Sequence, residues 1–307
     1  MNDIGTKEKE MLPLLRLNEW KETKNTLHLF LQIMGKIRLS LYPRMNHWWH
    51  ASLYVSPRGL TTGPIPYHYS SFEINLDLLT HQLIIKTGSD SKAFPIHEGL
   101  TVSEFYRKIF NNLKELGIKV DIKAVPYKCF SVEPFEEDHI HSSYNKEYIE
   151  RFCRILIFIN GVFEEFRGRF SGKSTPVHLF WHSFDLALTR FSGRKATMPE
   201  ESNKVEKEAY SHEVISFGFW AGDDLIPEPA FYSYTFPEPE GLTYEPLEPT
   251  EAYWGSLHSS AYALMMYEKI RNSKSPAKAI LNFLESTYLA GAGKAGWDIE
   301  KFKYNPL

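Results

Sequence analysis

GKSTPVHLFWHSFDLALTRFSGR, residues Gly172–Arg194, sets two histidines, a tryptophan, an aspartate and two arginines into a segment that otherwise reads as buried strand. Its apolar runs predict strands at about 177–182 and 184–191. A long helix precedes it, from about Asn145 to Phe170, with Tyr148, Phe152, Ile155, Ile159, Val162 and Phe166 as the buried stripe. Strands follow at about 211–219 and 230–236. Helix and then antiparallel strands is the pattern this stretch sets.

An earlier segment echoes it. A helix is expected from about Asn18 to Leu41, on the stripe Leu27, Phe30, Met34, Ile37 and Leu41, and Pro43 ends it. The order Gly35-Lys36, Pro43, His47, Trp49-His50, Arg58, Gly59 then matches Gly172-Lys173, Pro176, His178, Trp181-His182, Arg190, Gly193. His50 to Arg58 and His182 to Arg190 are equally spaced. Trp49, Ala51, Leu53 and Val55 alternate with His50, Ser52, Tyr54 and Ser56, which predicts a strand. An internal duplication is therefore one reading and chance likeness of two helix-to-strand junctions the other.

Between these segments, Phe72, Ile74 and Leu76 alternate with polar residues, and Leu83–Thr87 and Lys92–Ile96 continue a meander. A helix at about 102–116 is capped by Gly117, and a strand is expected at about 120–125. A final helix begins at Ser275-Pro276 and stops at Gly291. The fold class is α+β: antiparallel sheets covered by helices, one compact unit over 1–307, with two candidate halves at about 12–125 and 145–297.

Composition excludes several roles. A net charge of −3 gives no general affinity for nucleic acid. The most apolar run, Ile155–Phe163, is too short to span a bilayer. Two cysteines, Cys129 and Cys153, make no disulfide framework, and no apolar signal segment follows the polar start, so a cytoplasmic protein is expected. From 208 to 268 there is no Lys or Arg, while eleven Asp and Glu occur. That window reads either as a solvated connection with one edge strand or as an ordered acidic flap. Ordering of 221–251 is expected, because Phe231, Tyr232, Tyr234 and Trp254 supply apolar anchors.

Most local motifs do not carry chemistry. GRFSGKS, 168–174, lacks the first glycine of a phosphate loop and runs helix-to-strand, the wrong way round. His178 and His182 share a strand face but lie about 13 Å apart, too far for one metal ion. Ser211-His212-Glu213 alternates faces and is no triad, although His212 or Glu213 is a candidate general base. Asp185 in an apolar strand needs a partner, and Arg190 or Arg194 is expected to supply it.

NHWWH at 46–50, RGLTT at 58–62, GPIPY at 63–67, PVHLFWHSFDLALTRFSGR at 176–194, YSHEV at 210–214 and PEPAFYSY at 227–234 resemble an uncharacterised bacterial family, the domain of unknown function numbered 5996. The resemblance runs from about Leu12 to Trp297. It implies membership and no assigned activity. The family pattern FFWGSFD has Gly where this chain has His182, which weighs against any scheme in which His182 is essential and against the echo.

The residues themselves favour a small-molecule site, enzyme or binder, for an anionic ligand lined by His, Arg and Trp. Candidate catalytic residues are His50, His178, His212 and Glu213. Candidate ligand-binding residues are Arg58, Arg190, Trp49, Trp181, His182 and Asp185. With the halves related by a twofold axis, His50 would meet Arg190 and His182 would meet Arg58. No metal or cofactor is expected. The rival reading is a structural or interaction module that docks through the acidic 208–268 region.

Overall fold

The computed structural model describes residues 10–198, 200–257 and 260–304. It is an α+β fold with two antiparallel sheets of six strands each. The chain begins with α1, Leu17–Leu41, and a 3-10 turn, Asn46–Ala51. The first sheet follows: β1, Tyr54–Ser56; β2, Gly59–Thr61; β3, Ile65–Tyr67; β4, Ser70–Asp77; β5, Gln82–Thr87; β6, Ser91–Pro95. Its order is β1-β2-β4-β5-β6, with β3 also paired to β4.

Helix α2, Val102–Glu115, closes the first half, and α3, Lys146–Gly168, opens the second. Thr101 and Glu104 cap α2 reciprocally, and the Asn145 side chain caps α3. The second sheet contains β7, His178–Phe180; β8, Asp185–Lys195; β9, His212–Trp220; β10, Ala230–Phe236; β11, Tyr253–Leu257; and β12, Ser260–Met266. A short helix, α4, Lys204–Ala209, lies between β8 and β9, and the order is β11-β12-β10-β9-β8-β7. After β12 come α5, Tyr267–Arg271; α6, Pro276–Lys294; and α7, Ile299–Phe302.

The sheets are joined at one seam. Leu53, just before β1, and Leu179, in β7, exchange backbone hydrogen bonds of 3.0 and 2.8 Å. Helix α1 is the central strut. It is buried at every position from Thr23 to Arg38, not only along the expected stripe. One of its buried polar side chains is held from far along the chain: Gln32 both donates to and accepts from the backbone of Tyr127, at 3.2 and 2.8 Å. Gly35 is where the second sheet locks onto α1. A Cβ there would lie 2.0 Å from the Trp181 ring, whose Nε1 donates to the Ala51 carbonyl at 2.8 Å.

The second sheet has two unlike faces. Leu186, Leu188, Ile215, Phe217, Phe219, Phe231 and Met265 are fully buried on the inner face. The outer face carries Asp185, Ala187, Thr189 and Phe191 of β8, opposite Trp220, Gly218, Ser216 and Val214 of β9.

Four expectations are corrected. Residues 46–51 form a 3-10 turn, because His47 and Trp48 take left-handed backbone angles (φ 54° and 61°) that no strand allows. Residues 120–125 form no strand: this stretch meets side chains instead, with Ser40 donating to the Asp121 carbonyl at 2.8 Å. Gly291 does not stop α6, but lets it approach Ile215 and Thr235, where a Cβ would lie 2.3 Å from the Thr235 hydroxyl. The acidic 208–268 window is no solvated connection, since it contains β9 to β12, of which the β11–β12 hairpin was not anticipated. Its connection is held to α6, with Glu248 and Ser286 bonded backbone to hydroxyl and Glu245 paired with Lys294 at 2.9 Å.

Candidate functional site

The outer face of the second sheet gathers most of the unusual chemistry. At one end, three separate segments meet. The left-handed pair at 47–48 folds His47 back against the sheet, over Phe191 at 4.7 Å between ring centres. His47 Nδ1 donates to the Ala209 carbonyl at 3.4 Å. Its Nε2 lone pair then faces Lys173 Nζ, which donates to it at 3.0 Å. The His212 ring lies 5.6 Å from that of His47 and contacts the Ser211 hydroxyl at 3.1 Å. Trp49 and Phe191 floor the cluster, with the Lys173 ammonium 5.4 and 4.9 Å from their ring centres.

Burial holds the Lys173 amine below its ordinary value. Burial, reinforced by Lys173, does the same to His47. Lys173 forms no ion pair among the described residues. The cluster therefore offers the exposed Lys173 ammonium and the half-buried His212 imidazole to solvent, with His47 buried behind them and both its ring nitrogens engaged. Such a group can hold an anion and exchange a proton with it.

At the other end of the face, Asp185 is 7% exposed and accepts hydroxyls from Ser183 and Tyr232. Tyr232 lies flat on Gly218, where a Cβ would come within 2.3 Å of its ring. His178, 1% exposed, donates from Nδ1 to the Pro176 carbonyl at 2.8 Å, and its Nε2 has no partner among the described residues. Burial pushes its pKa down to about 4. His182 stands beside Tyr127 and Phe180, lowered by burial and raised in part by Asp185.

The remaining candidates lie elsewhere. Arg190 is five residues from Asp185, so it points to the inner face. There it is 1% exposed, sits 3.5 Å above the Phe166 ring and 4.5 Å from that of Tyr288, and donates to the Phe166 carbonyl. Asp185 is therefore paired with neither arginine, and His50 does not meet Arg190. His50 is buried in the 3-10 turn, bonded to its own Met45 at 3.2 Å. Arg58 pairs with Asp77 at 2.5 Å on the first sheet, away from His182. Glu213 is occupied by Ser192, Arg194 and Trp297. Trp181 is engaged with Gly35 and Ala51.

Of the candidates named from sequence, Trp49 and His212 come together; His178, His182 and Asp185 share the opposite end. His47 and Lys173 were missed. Both stood in the quoted echo, beside Trp49 and Gly172, but a strand reading of 49–56 gave His47 no reason to turn back. Trp49-His50 lies before the first strand of its half and Trp181-His182 in the turn after β7, so the echoed pairs occupy different local structures.

Among the described residues, no group of three or more His, Cys, Asp or Glu could hold a metal ion, and no helix is long and apolar enough to cross a membrane. The fold is that of an α+β protein built on two antiparallel sheets, with a basic and aromatic cluster on the outer face of the second. The chain belongs to the family described as "Family of unknown function (DUF5996)", matched over residues 12–304. No curated protein and no solved structure matches it.

Proposed function

We propose that the protein binds an anionic small molecule, a carboxylate or a phosphate ester, at His47, Lys173 and His212. The observation that supports this is the convergence of an ammonium and two imidazoles from three chain segments, with no carboxylate paired to Lys173 among the described residues. Lys173 supplies the fixed charge, and His212 donates the second hydrogen bond. Trp49 and Phe191 give the ligand an apolar wall. A neutral His47, anchored to Ala209, keeps the Lys173 ammonium in place. In a catalytic version of this reading, His212 is the proton-transfer group. A cytoplasmic setting belongs to the same reading.

The test is Lys173→Met, followed by thermal shift and titration calorimetry with inorganic phosphate, phosphoserine and citrate. Wild type should be stabilised by at least one of these anions. The variant should lose a few kcal/mol of binding if the contact is charge-assisted. Equal responses of wild type and variant would remove the site.

A further inference from the structure

The two sheets end on edges of opposite character. β6, SKAFP, carries Lys92 and Pro95, and Lys92 pairs with Glu115 at 2.8 Å. Charge and proline are devices that keep an edge from pairing with another chain. β11, YWGSL, has neither. It pairs with β12 on one side and with no strand on the other among the described residues. Its free edge is about 16 Å of backbone at the usual rise per residue.

The surroundings of that edge select a partner. Tyr253 is 46% exposed, and Gly255, opposite Tyr262, adds no side chain of its own. At one end, exposed Glu251 lies two residues before the strand. No Lys or Arg occurs from 208 to 268, against eleven acidic residues; Glu208, Glu213, Asp224 and Glu245 are paired with basic residues from outside that window, and Glu251 has no ion-pair partner among the described residues.

We propose that β11 is a docking edge for an extended basic segment of a partner protein, taken up as a seventh strand of the second sheet. Backbone hydrogen bonds would supply the registration, and a lysine or arginine near one end would meet the exposed Glu251. A second copy of this chain suits the edge less well, because it would bring one acidic window against another. The proposal is independent of the anion site.

The test uses a short acetylated and amidated peptide of alternating Lys and Val, with binding followed by calorimetry at low and high salt. Binding to wild type should be one-to-one and weaken as salt is added. The same peptide with alternate amides N-methylated should bind at least about tenfold more weakly, because it cannot complete the ladder. Glu251→Lys should weaken binding several-fold while leaving the unfolding temperature unchanged, since the one side-chain hydrogen bond of the exposed Glu251 among the described residues is that from the neighbouring Thr250 hydroxyl. Absence of binding would overturn the proposal. So would equal binding of the N-methylated peptide, equal binding by Glu251→Lys, or a concentration-dependent dimer in sedimentation that the peptide does not disrupt.

Discussion

Acid should unfold this protein through two histidines that cannot be charged in place. His28, on α1, and His178, in β7, are both held at about 4 by burial, with Lys24 adding to the effect at His28. In the unfolded chain a histidine titrates near 6.5. Between those values the unfolded state binds more protons than the folded state, so stability rises with pH across the window. It is complete above about pH 6.5 and is lost progressively down to about pH 4. At pH 5 each ring costs about 2 kcal/mol relative to pH 7, and the two together cost about 4 kcal/mol. The perturbation is His178→Leu, read by urea denaturation at pH 7 and pH 5. The variant loses the hydrogen bond to Pro176 at both values, so the comparison is of differences. Wild type should lose about 2 kcal/mol more than the variant on going from pH 7 to pH 5. Equal losses, or a wild type no less stable at pH 5, would refute the reasoning.

Two further outcomes follow from packing. Gly35→Ala puts a methyl into the Trp181 ring and should destabilise the protein by about 3 kcal/mol in chemical denaturation, against about zero for a seat that could relax. Arg190→Met removes a cation that burial has pushed down to about 10 while keeping its volume, so stability should stay within about 1 kcal/mol of wild type. Arg190→Ala leaves a cavity among Phe166, Phe170 and Tyr288 and should cost about 3 kcal/mol; equal costs for the two variants would show that the charge itself is required.

The long helices and the strands of the second sheet were readable because their periods are uninterrupted: α3 and β8 fall within a few residues of the expected limits. Two kinds of information were not in the pattern. Backbone sign is one. Nothing about His47 and Trp48 distinguishes a left-handed pair from an extended one, and the first part of the 49–56 strand reading hung on that choice, while Tyr54–Ser56 is a strand as expected. Long-range pairing is the other. The 120–125 stretch has strand composition but no ladder, whereas β11 and β12 sit in a proline- and glutamate-rich window and have each other. For the site, Asp185 was rightly singled out as a buried carboxylate in need of partners, but the partners were hydroxyls. An odd separation along β8 had already put Arg190 on the opposite face, and that arithmetic was available from the sequence.

The seam between Leu53 and Leu179 has a consequence for how the chain must be made. The first helix and sheet are complete in sequence by residue 95, yet β1 gains its outer neighbour only when Leu179 arrives, 126 positions later. Trp181, which fills the space over Gly35 and caps Ala51, comes from the same late segment. A ribosome adding about 5–20 residues each second exposes the first half, with α1 uncovered on that side, for many seconds before its lock appears. The order of synthesis thus leaves the central helix waiting for the stretch that seats it, and premature termination before residue 181 would release a half whose main strut is packed by α2 but uncovered over Gly35.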